Sequence, residues 1–299
     1  TFDTQFGTIT WDALGNIDFV IDSTSVDFLQ VGETVSETFW YIASDPSGGT
    51  TTSQLIVIIE GENDNPIAVN DSVSITEKTN SISGSIVNGN SLLSNDSDVE
   101  DDPLFAMLVN ELPAGVSVGL NGYGELHWDS TGAYTYYTNR AITDTLAQGE
   151  IVTDRFVYTI SDGYGGTDTA SFIIEITGIN DPPEAEPDSN ATTDIIPIVV
   201  KLGDTENVLF NDWDIDGHKR TLTAVNGDSV STIKEGNYGT LSWSENGSYE
   251  YQPEQVFAES LRPLEQVTDT FTYQIKDEFL ASDTAWLQLT IVGINNAPS

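Results

Sequence analysis

Two acidic loops contain the residues of this chain that are best suited to bind a metal ion. Residues 96–102 read Asp-Ser-Asp-Val-Glu-Asp-Asp, and residues 212–217 read Asp-Trp-Asp-Ile-Asp-Gly. Calcium takes about six to eight oxygen ligands, and acids at alternate positions of a loop can supply several of them to one point. The two loops therefore predict calcium sites, although Asp is also an ordinary turn residue.

A short motif of Asn, Asp and Pro recurs along the chain and divides it into repeats. Residues 62–66 read Glu-Asn-Asp-Asn-Pro, residues 179–183 read Ile-Asn-Asp-Pro-Pro, and residues 294–298 read Ile-Asn-Asn-Ala-Pro, in which the acid is lost. Each copy follows an apolar run that ends at a glycine. Recurrence at a near-constant spacing is typical of a repeat array, so these segments are interpreted as joints between repeats.

The segments between the joints have the pattern of β-strands. Residues 7–11, 124–128 and 239–243 align as a strand that begins with glycine and ends with tryptophan. Apolar and polar residues alternate, and glycine turns separate the short segments, which is typical of antiparallel strands in an immunoglobulin-like β-sandwich. The predicted fold is all-β, with tandem sandwiches joined by calcium-binding linkers.

The joints predict three domains: a partial or short unit at 1–64 and two sandwiches at 65–181 and 182–299. The first unit lacks the N-terminal half that the other two share. Three explanations are open: a cut within a repeat, a naturally short unit, or an interruption by another domain. A half sandwich would leave apolar strand edges uncovered, so we expect another segment to complete it or a compact variant.

Strand topology predicts which side chains meet at each joint. In a seven-stranded sandwich, the loops after the second and the sixth strand return to the end at which the linker enters. The ligands expected from these segments at the first joint are Asn63, Asp64, Asp71, Asp96, Asp98, Glu100 and Asp162. Those expected at the second joint are Asn180, Asp181, Asp188, Asp212, Asp214, Asp216 and Asp277.

The preceding unit should add further acids to each joint. The loop before the sixth strand lies at the opposite end of the sandwich and therefore faces the next unit. The acids at this position are Glu33 and Glu37 for the first joint, and Glu150 and Asp154 for the second.

The charge balance narrows the classes of partner. The chain has 48 acidic and 9 basic residues, a net charge of −39, so it should attract cations and repel nucleic acid and anionic membrane surfaces. Unit charges about 4 Å apart repel by about 1 kcal/mol even in water, which means that clustered acids need cations. The absence of cysteine excludes disulfides and thiolate metal sites. No apolar run is long enough to predict a membrane span.

Several motifs occur in the same order in the second and third repeats. They are Tyr-Gly-x-Leu-x-Trp, Gly-x-Tyr-x-Tyr and Val-Thr-Asp-x-Phe-x-Tyr-x-Ile, followed by the joint, which reads Asn-Asp-Pro after the second repeat and Asn-Asn-Ala-Pro after the third. This pattern resembles the VCBS and cadherin-like repeats of large secreted bacterial adhesins, often called RTX adhesins. The resemblance implies cadherin-like sandwiches with Ca²⁺ at the joints, where acids of the preceding domain also act as ligands. It further implies type I secretion, a location at the bacterial cell surface, and a role in adhesion or biofilm.

The chain departs from that pattern at a few positions. The last joint has Asn295 and Asn296 without an acid, so no full site is predicted there. His218 stands where the pattern has an acid, and Thr51 replaces the acid that the other repeats have.

Other residues indicate packing more than chemistry. Trp11, Trp128 and Trp243 occupy one position in all three repeats, which favours sheet packing over a sugar platform. His127 and His218 form neither a paired zinc motif nor a catalytic triad. Every notable acid recurs with the repeat, which favours a structural role over catalysis. No catalytic residue is therefore predicted.

The sequence favours a non-catalytic, calcium-rigidified spacer of a bacterial adhesin. Its partners would be calcium ions and neighbouring repeats, with host or surface glycans bound through other domains. A second hypothesis is a calcium-dependent carbohydrate- or peptide-binding module. A third is an accessory region of a secreted hydrolase.

Overall fold

The computed structural model describes residues 1–120, 122–193 and 195–294, and it confirms the all-β fold class. The described chain divides into two compact units. The first comprises Thr1–Ile75, Thr79–Asn139 and Thr153–Glu175, and the second comprises Thr76–Lys78, Arg140–Val152 and the chain from Ile176 onward. The last predicted joint, at Asn295 and Asn296, lies outside the described residues. Within the described ranges no helix is long and apolar enough to cross a membrane.

The first repeat consists of a small sheet and a long hairpin. Its strands are β1 (Phe2–Asp3), β2 (Gly7–Trp11), β3 (Ile17–Ile21), β4 (Thr34–Ser44) and β5 (Thr50–Glu60), with a 3-10 turn at Ser23–Ser25. The sheet has the order β1-β2-β3, and the hairpin pairs β4 with β5. Asp45 closes the hairpin turn, since its Oδ1 accepts hydrogen bonds from the backbone N–H groups of Ser47 and Gly49.

The second repeat has two sheets. Its strands are β6 (Asp71–Thr76), β7 (Ser81–Gly84), β8 (Phe105–Val109), β9 (Leu112–Pro113), β10 (Val118–Leu120), β11 (Gly124–Trp128), β12 (Tyr134–Thr138), β13 (Ile151–Ser161) and β14 (Thr167–Thr177). One sheet has the order β10-β11-β12-β7 and the other β6-β14-β13-β8-β9. A 3-10 turn at Ile86–Asn88 and helix α1 (Arg140–Thr143) lie in the connections.

The third repeat has the same plan. Its strands are β15 (Asp188–Thr193), β16 (Ile198–Val200), β17 (Thr221–Val225), β18 (Ile233–Glu235), β19 (Gly239–Trp243), β20 (Tyr249–Pro253), β21 (Gln266–Lys276) and β22 (Ser282–Val292), with helix α2 (Gln255–Ser260). The sheets have the orders β15-β22-β21-β17 and β16-β20-β19-β18. The pairing of β15 with β22 is parallel, so the expectation of antiparallel pairing is wrong for this pair. The strand that enters the repeat runs in the same direction as the strand that leaves it.

Aromatic side chains join the two sheets of each sandwich. Tyr251 of β20 meets Phe271 of β21 edge to face, with ring centroids 6.3 Å apart. The corresponding pair in the second repeat has its centroids 6.2 Å apart, with Tyr136 in β12 and Phe156 in β13. All four rings are fully buried, as expected for side chains that point inward from both sheets.

The first repeat leaves equivalent positions uncovered. Trp11 is 61% exposed, whereas Trp128 is 5% exposed and Trp243 is 6% exposed. Tyr41 of β4 is 48% exposed, although its counterpart Tyr158 is fully buried. The first repeat therefore exposes apolar side chains at positions that the other repeats bury, and the expectation of a completing segment or a compact variant stays a prediction.

The burial difference predicts unequal costs for the same substitution at matched positions. Trp128→Ala should lower the free energy of unfolding by about 3–5 kcal/mol, because it removes a buried aromatic side chain. Trp11→Ala should change it by no more than about 0.5 kcal/mol, because the side chain is largely solvated. Urea denaturation followed by circular dichroism measures both variants. Equal losses in the two variants would contradict the assigned burial.

Candidate metal centres

The first acidic loop forms a turn in which its own backbone N–H groups donate to the side chain of Asp98. Oδ1 of Asp98 accepts hydrogen bonds from the N–H groups of Glu100, at 3.0 Å, and Asp102, at 3.3 Å. This Asx-type turn brings the three acids together, so that each offers one oxygen within 4.8 Å of the others. We refer to Asp98, Glu100 and Asp102 as the first centre.

The first linker packs against this loop. The N–H of Asp64 donates to Oε1 of Glu100 at 2.8 Å, and Ile67 forms a β-bridge with Ser97. Nδ2 of Asn63 donates to Oδ2 of Asp162 at 2.8 Å. The linker, the acidic loop and the loop of Asp162 thus lie at one end of the sandwich, as the strand topology predicted.

The second acidic loop has the same turn. Oδ1 of Asp214 accepts from the N–H groups of Asp216 and His218, at 3.0 and 3.1 Å. Asp214, Asp216 and His218 each offer a ligand atom within 4.8 Å of the others, and they form the second centre. His218 takes the position that Asp102 has in the first centre.

The second linker docks as the first does. The N–H of Asp181 donates to Oδ2 of Asp216 at 2.8 Å. Nδ2 of Asn180 donates to Oδ2 of Asp277 at 2.7 Å. These two bonds reproduce, at equivalent positions, the contacts of Asp64 and Asn63. The equivalence shows that the docking is a property of the repeat and not an accident of one loop.

Both centres and their linkers contain polar atoms that are shielded from water and have no hydrogen-bond partner. At the first centre and its linker these are Asp98 Oδ2, Glu100 Oε2 and Asn63 Oδ1, and at the second they are Asp214 Oδ2, Asp216 Oδ1, His218 Nδ1 and Asn180 Oδ1. A buried acceptor without a partner costs about 1–3 kcal/mol, and more when it is charged. Carboxylate and amide oxygens are hard ligands that suit Ca²⁺, so the residues of the first centre fit this ion. The imidazole of His218 makes the second set less purely oxygen-based.

The electrostatics of the centres favour a bound cation. Burial raises the pKa of Glu100, and the neighbouring Asp98 adds to the rise. Burial also raises the pKa of Asp216, with further contributions from the charges of Asp181 and Asp214. An opposite charge within a few ångströms would reverse these shifts and stabilise the ionised carboxylates.

Asp162 behaves differently from the other acids. Burial alone would raise its pKa, but hydrogen bonds from Asn63 and from the backbone of Tyr164, Gly165 and Gly166 outweigh burial and lower the pKa. Asp162 is thus held ionised by the protein itself.

Four other predicted ligands gather around tyrosine hydroxyls. The Tyr158 hydroxyl lies 2.9 Å from Oδ2 of Asp71 and 3.3 Å from Oδ1 of Asp96. The Tyr273 hydroxyl lies 2.9 Å from Oδ2 of Asp188 and 3.1 Å from Oδ1 of Asp212. A hydroxyl has a single hydrogen to donate, so it cannot satisfy two carboxylates at once. Asp96 and Asp212 also accept from the linker, through the N–H groups of Val69 and Glu186.

The acids predicted from the preceding unit make other contacts. Glu33 accepts from Gln30 N–H, Glu37 from Phe6 N–H, and Glu150 from Ala147 N–H. Their part in a metal site stays a prediction.

Asp154 is fully buried, and its Oδ2 accepts from the Tyr136 hydroxyl at 2.5 Å. The third repeat has the same contact between Asp269 and Tyr251, at 2.7 Å. The structure therefore places Asp154 at a repeated link between the two sheets, because strand alternation turns this position of β13 to the interior. Its part in a metal site stays a prediction.

Sequence reasoning missed several residues at these joints. Asp102 completes the first centre, and Asp168 and Asp283 accept hydrogen bonds from the linker residues Ala68 and Ala185. The alternation of acids in the loop signalled Asp102, and the repeat alignment signalled the other two. A further ion-paired group was also missed: Glu77, Lys78, Arg140 and Asp144.

Known proteins share features with this chain. Residues 63–178 and 180–293 each match the family model described as the bacterial cadherin-like domain. The calcium-binding lectin RapA2 of Rhizobium johnstonii is 29% identical over 252 residues, which cover 76% of this chain and 97% of the lectin. The crystal structure of protocadherin gamma C5 EC1-3 is similar in fold, with a TM-score of 0.50 and 10% identity over 94% of this chain and 85% of that chain.

The acids around the tyrosines predict how stability depends on pH when metal is removed. Burial raises the folded-state pKa of Asp71 to about 6, of Asp188 to about 7 and of Asp212 to about 6. The unfolded values lie near about 4, so protonation favours the folded state. This stabilisation grows as the pH falls from about 7.5 through these pKa values and is complete only below the unfolded values.

The metal-free protein should therefore melt at a higher temperature at about pH 5.5 than at about pH 7.5. Thermal unfolding in a chelating buffer measures this. The lowered pKa values of Asp162 and Asp228 belong to acids whose stabilisation is lost only below about pH 4, outside this window. A melting temperature that stays constant or falls between the two pH values would contradict the assignment.

Proposed function

The chain belongs to the bacterial cadherin-like domain family, and from this premise we propose that it is a non-catalytic, extracellular adhesion segment whose joints are ordered by calcium. One observation carries the proposal. At equivalent positions of two consecutive joints, buried carboxylate and amide oxygens converge and have no hydrogen-bond partner. Because two separate loops leave equivalent acceptors without a partner, we infer that both bind the same kind of ligand. Carboxylate and amide oxygens of this kind bind divalent cations such as Ca²⁺.

The proposed mechanism is thermodynamic linkage. The linker residue Asp64 donates to Glu100 of the acidic loop, and Asn63 donates to Asp162 of a second loop, so an ion held by these loops would stabilise the docked linker. An ion that binds the ordered joint and not the loose one stabilises it by about 2.7 kcal/mol at a hundredfold excess over its dissociation constant. Each joint would then hold its two repeats in one orientation, and the repeats would act as spacers that project a binding domain.

The proposal includes the domain boundaries at 1–64, 65–181 and 182–299. It also includes a location outside the cell, where calcium sites of extracellular modules have dissociation constants of about 10⁻⁴ to 10⁻³ M. Type I secretion and a role in biofilm are parts of the proposal that the resemblance to VCBS repeats of RTX adhesins suggests. The relative named a calcium-binding lectin supports calcium as the ion.

Removal of calcium should loosen the joints before it unfolds the sandwiches. In a chelator, the N–H groups of Asp64 and Val69 should exchange with deuterium faster by about tenfold or more, because repulsion between the acids then opposes linker docking. Hydrogen–deuterium exchange mass spectrometry measures this, and the melting temperature should fall in the same samples.

The internal control is the β21–β22 hairpin, whose amides should keep their protection in a chelator. Calcium added back should restore protection at the linker, whereas sodium at equal ionic strength should not. Identical exchange and melting with and without chelator would refute the calcium-ordered joint.

A second candidate is a calcium-dependent carbohydrate-binding module. The specific observation that favours it is the similarity to a calcium-binding lectin over nearly the whole length of that protein. Trp213 lies between two acids of the second loop and is 43% exposed, which suits a sugar ring beside a metal ion.

A glycan array probed with the chain in calcium and in chelator separates the two candidates. If the chain is a carbohydrate-binding module, glycan binding should require calcium, and Trp213→Phe should weaken it. Trp286→Phe is the matched control, since this tryptophan is 48% exposed on β22 and belongs to no acidic loop. The absence of calcium-dependent glycan binding, together with calcium-dependent protection of the linkers, would leave the spacer as the function.

A further inference from the structure

Basic residues are scarce in this chain, and their positions are therefore informative. Only 9 of the 299 residues are Lys or Arg, and Lys78 is the first of them. In the sequence of the first compact unit, Arg155 is the single basic residue. Yet Lys78 and Arg140 lie together in the second compact unit, among three acids. Such a concentration of positive charge needs a physical reason.

The ammonium of Lys78 lies among these acids. It donates a short hydrogen bond to Oδ2 of Asp181. It also lies 3.2 Å from Oε1 of Glu77 and 3.8 Å from Oδ1 of Asp144. The three carboxylates come from the residue after β6, from the segment after α1 and from the linker, and one cation contacts all of them. We call Glu77, Lys78, Asp144 and Asp181 the lysine cluster.

Glu77 depends on this cation more than the other acids do. Its side chain is fully buried, and neither carboxylate oxygen accepts a well-aligned hydrogen bond. A buried carboxylate without a positive neighbour is strongly disfavoured, so the ammonium at 3.2 Å is its main compensation. Asp144 has a second partner in Arg140, with Nε to Oδ1 at 2.5 Å and Nη2 to Oδ2 at 3.0 Å.

Asp181 connects the lysine cluster to the second metal centre. Its carboxylate accepts from Lys78, while its N–H donates to Asp216. The equivalent residue in the first linker is Asp64, whose N–H donates to Glu100 in the same way. Among the described residues no lysine or arginine forms an ion pair with Asp64, whereas Lys78 pairs with Asp181. The two joints thus have the same docking contacts and different charge balance.

We propose that the ammonium of Lys78 is a built-in cation of the second joint, which holds Glu77, Asp144 and Asp181 together when divalent metal is scarce. The inference rests on the proposed function, because it assigns different metal requirements to the two joints. The first joint, where no lysine or arginine among the described residues pairs with Asp64, depends on calcium for its order. The second keeps part of its order without calcium, and a divalent ion that binds there competes with the ammonium.

The test compares two lysine variants of the whole chain. Lys78→Met removes the charge and keeps a long apolar side chain. Lys201→Met is the matched control, because this lysine is exposed on a loop and belongs to no acidic cluster. Lys78→Arg keeps the charge and should behave like the unmodified chain, which separates the loss of charge from a general packing defect.

The first readout is deuterium exchange of the Asp181 amide in a chelator. In the unmodified chain this amide should exchange more slowly than that of Asp64. Lys78→Met should speed its exchange by about tenfold, since the three carboxylates then repel one another without compensation. Lys201→Met should leave it unchanged. If Lys78→Met unfolds in a chelator, saturating Ca²⁺ should restore its melting temperature to that of Lys201→Met.

The second readout is the affinity of the second centre for a cation. Terbium emission sensitised by Trp213, next to Asp214, reports an ion at this loop, and Trp213→Phe identifies the part of the signal that comes from it. Lys78→Met should bind Tb³⁺ about tenfold more tightly than Lys201→Met, because a fixed positive charge has been removed. Added Ca²⁺ should displace the terbium.

The outcomes distinguish the two claims. If Lys78→Met and Lys201→Met agree in both exchange and terbium affinity, the built-in cation is refuted and the calcium-ordered joint stands. If neither Tb³⁺ nor Ca²⁺ changes emission or melting in any variant, the calcium proposal fails, and exchange of the Asp181 amide in chelator still decides the role of Lys78.

Discussion

Repulsion between carboxylates is the constraint on which both joints depend. Three ligand atoms lie within 4.8 Å of one another in each centre, and the linker adds further oxygens to them. The fold offers backbone N–H groups to some of these oxygens, as the Asx-type turn of Asp98 shows. The remaining oxygens have no donor, and we propose that a positive charge that reaches them stabilises the docked linker. A net charge of −39 leaves few such charges within the protein itself.

The two joints have equivalent backbone contacts but different side chains near their carboxylates. The first centre is built from three acids, and no lysine or arginine among the described residues forms an ion pair with them. The second has His218 in place of an acid and Lys78 bound to its linker residue Asp181. An imidazole and an ammonium both lower the demand for a hard divalent ion, so successive joints of one array need not respond to calcium alike. Tandem repeats can thereby combine stiff and calcium-sensitive connections within one chain.

Much of the fold and part of the site could be predicted from the sequence. The period-two alternation and the repeated Trp and Tyr positions predicted the strands, and strand topology brought the linker of Asp64 to the loop of Glu100. The repeat pattern alone does not distinguish a ligand from a buried structural contact, and Asp154 recurs together with its hydrogen bond from Tyr136. The lysine cluster was missed because its members lie far apart in sequence, and only the fold brings the residues after β6, the residue after α1 and the linker together.

We propose that a divalent ion binds, at each joint, to the buried carboxylate and amide oxygens that have no hydrogen-bond partner. A crystal structure grown in calcium, with anomalous differences measured at long wavelength, tests it most directly. We expect an anomalous peak from a calcium ion about 2.3–2.6 Å from a carboxylate oxygen of Glu100, and a weaker or less occupied peak beside Asp216. Well-ordered loops whose carboxylates contact only water, with no anomalous peak at either centre in saturating calcium, would contradict it.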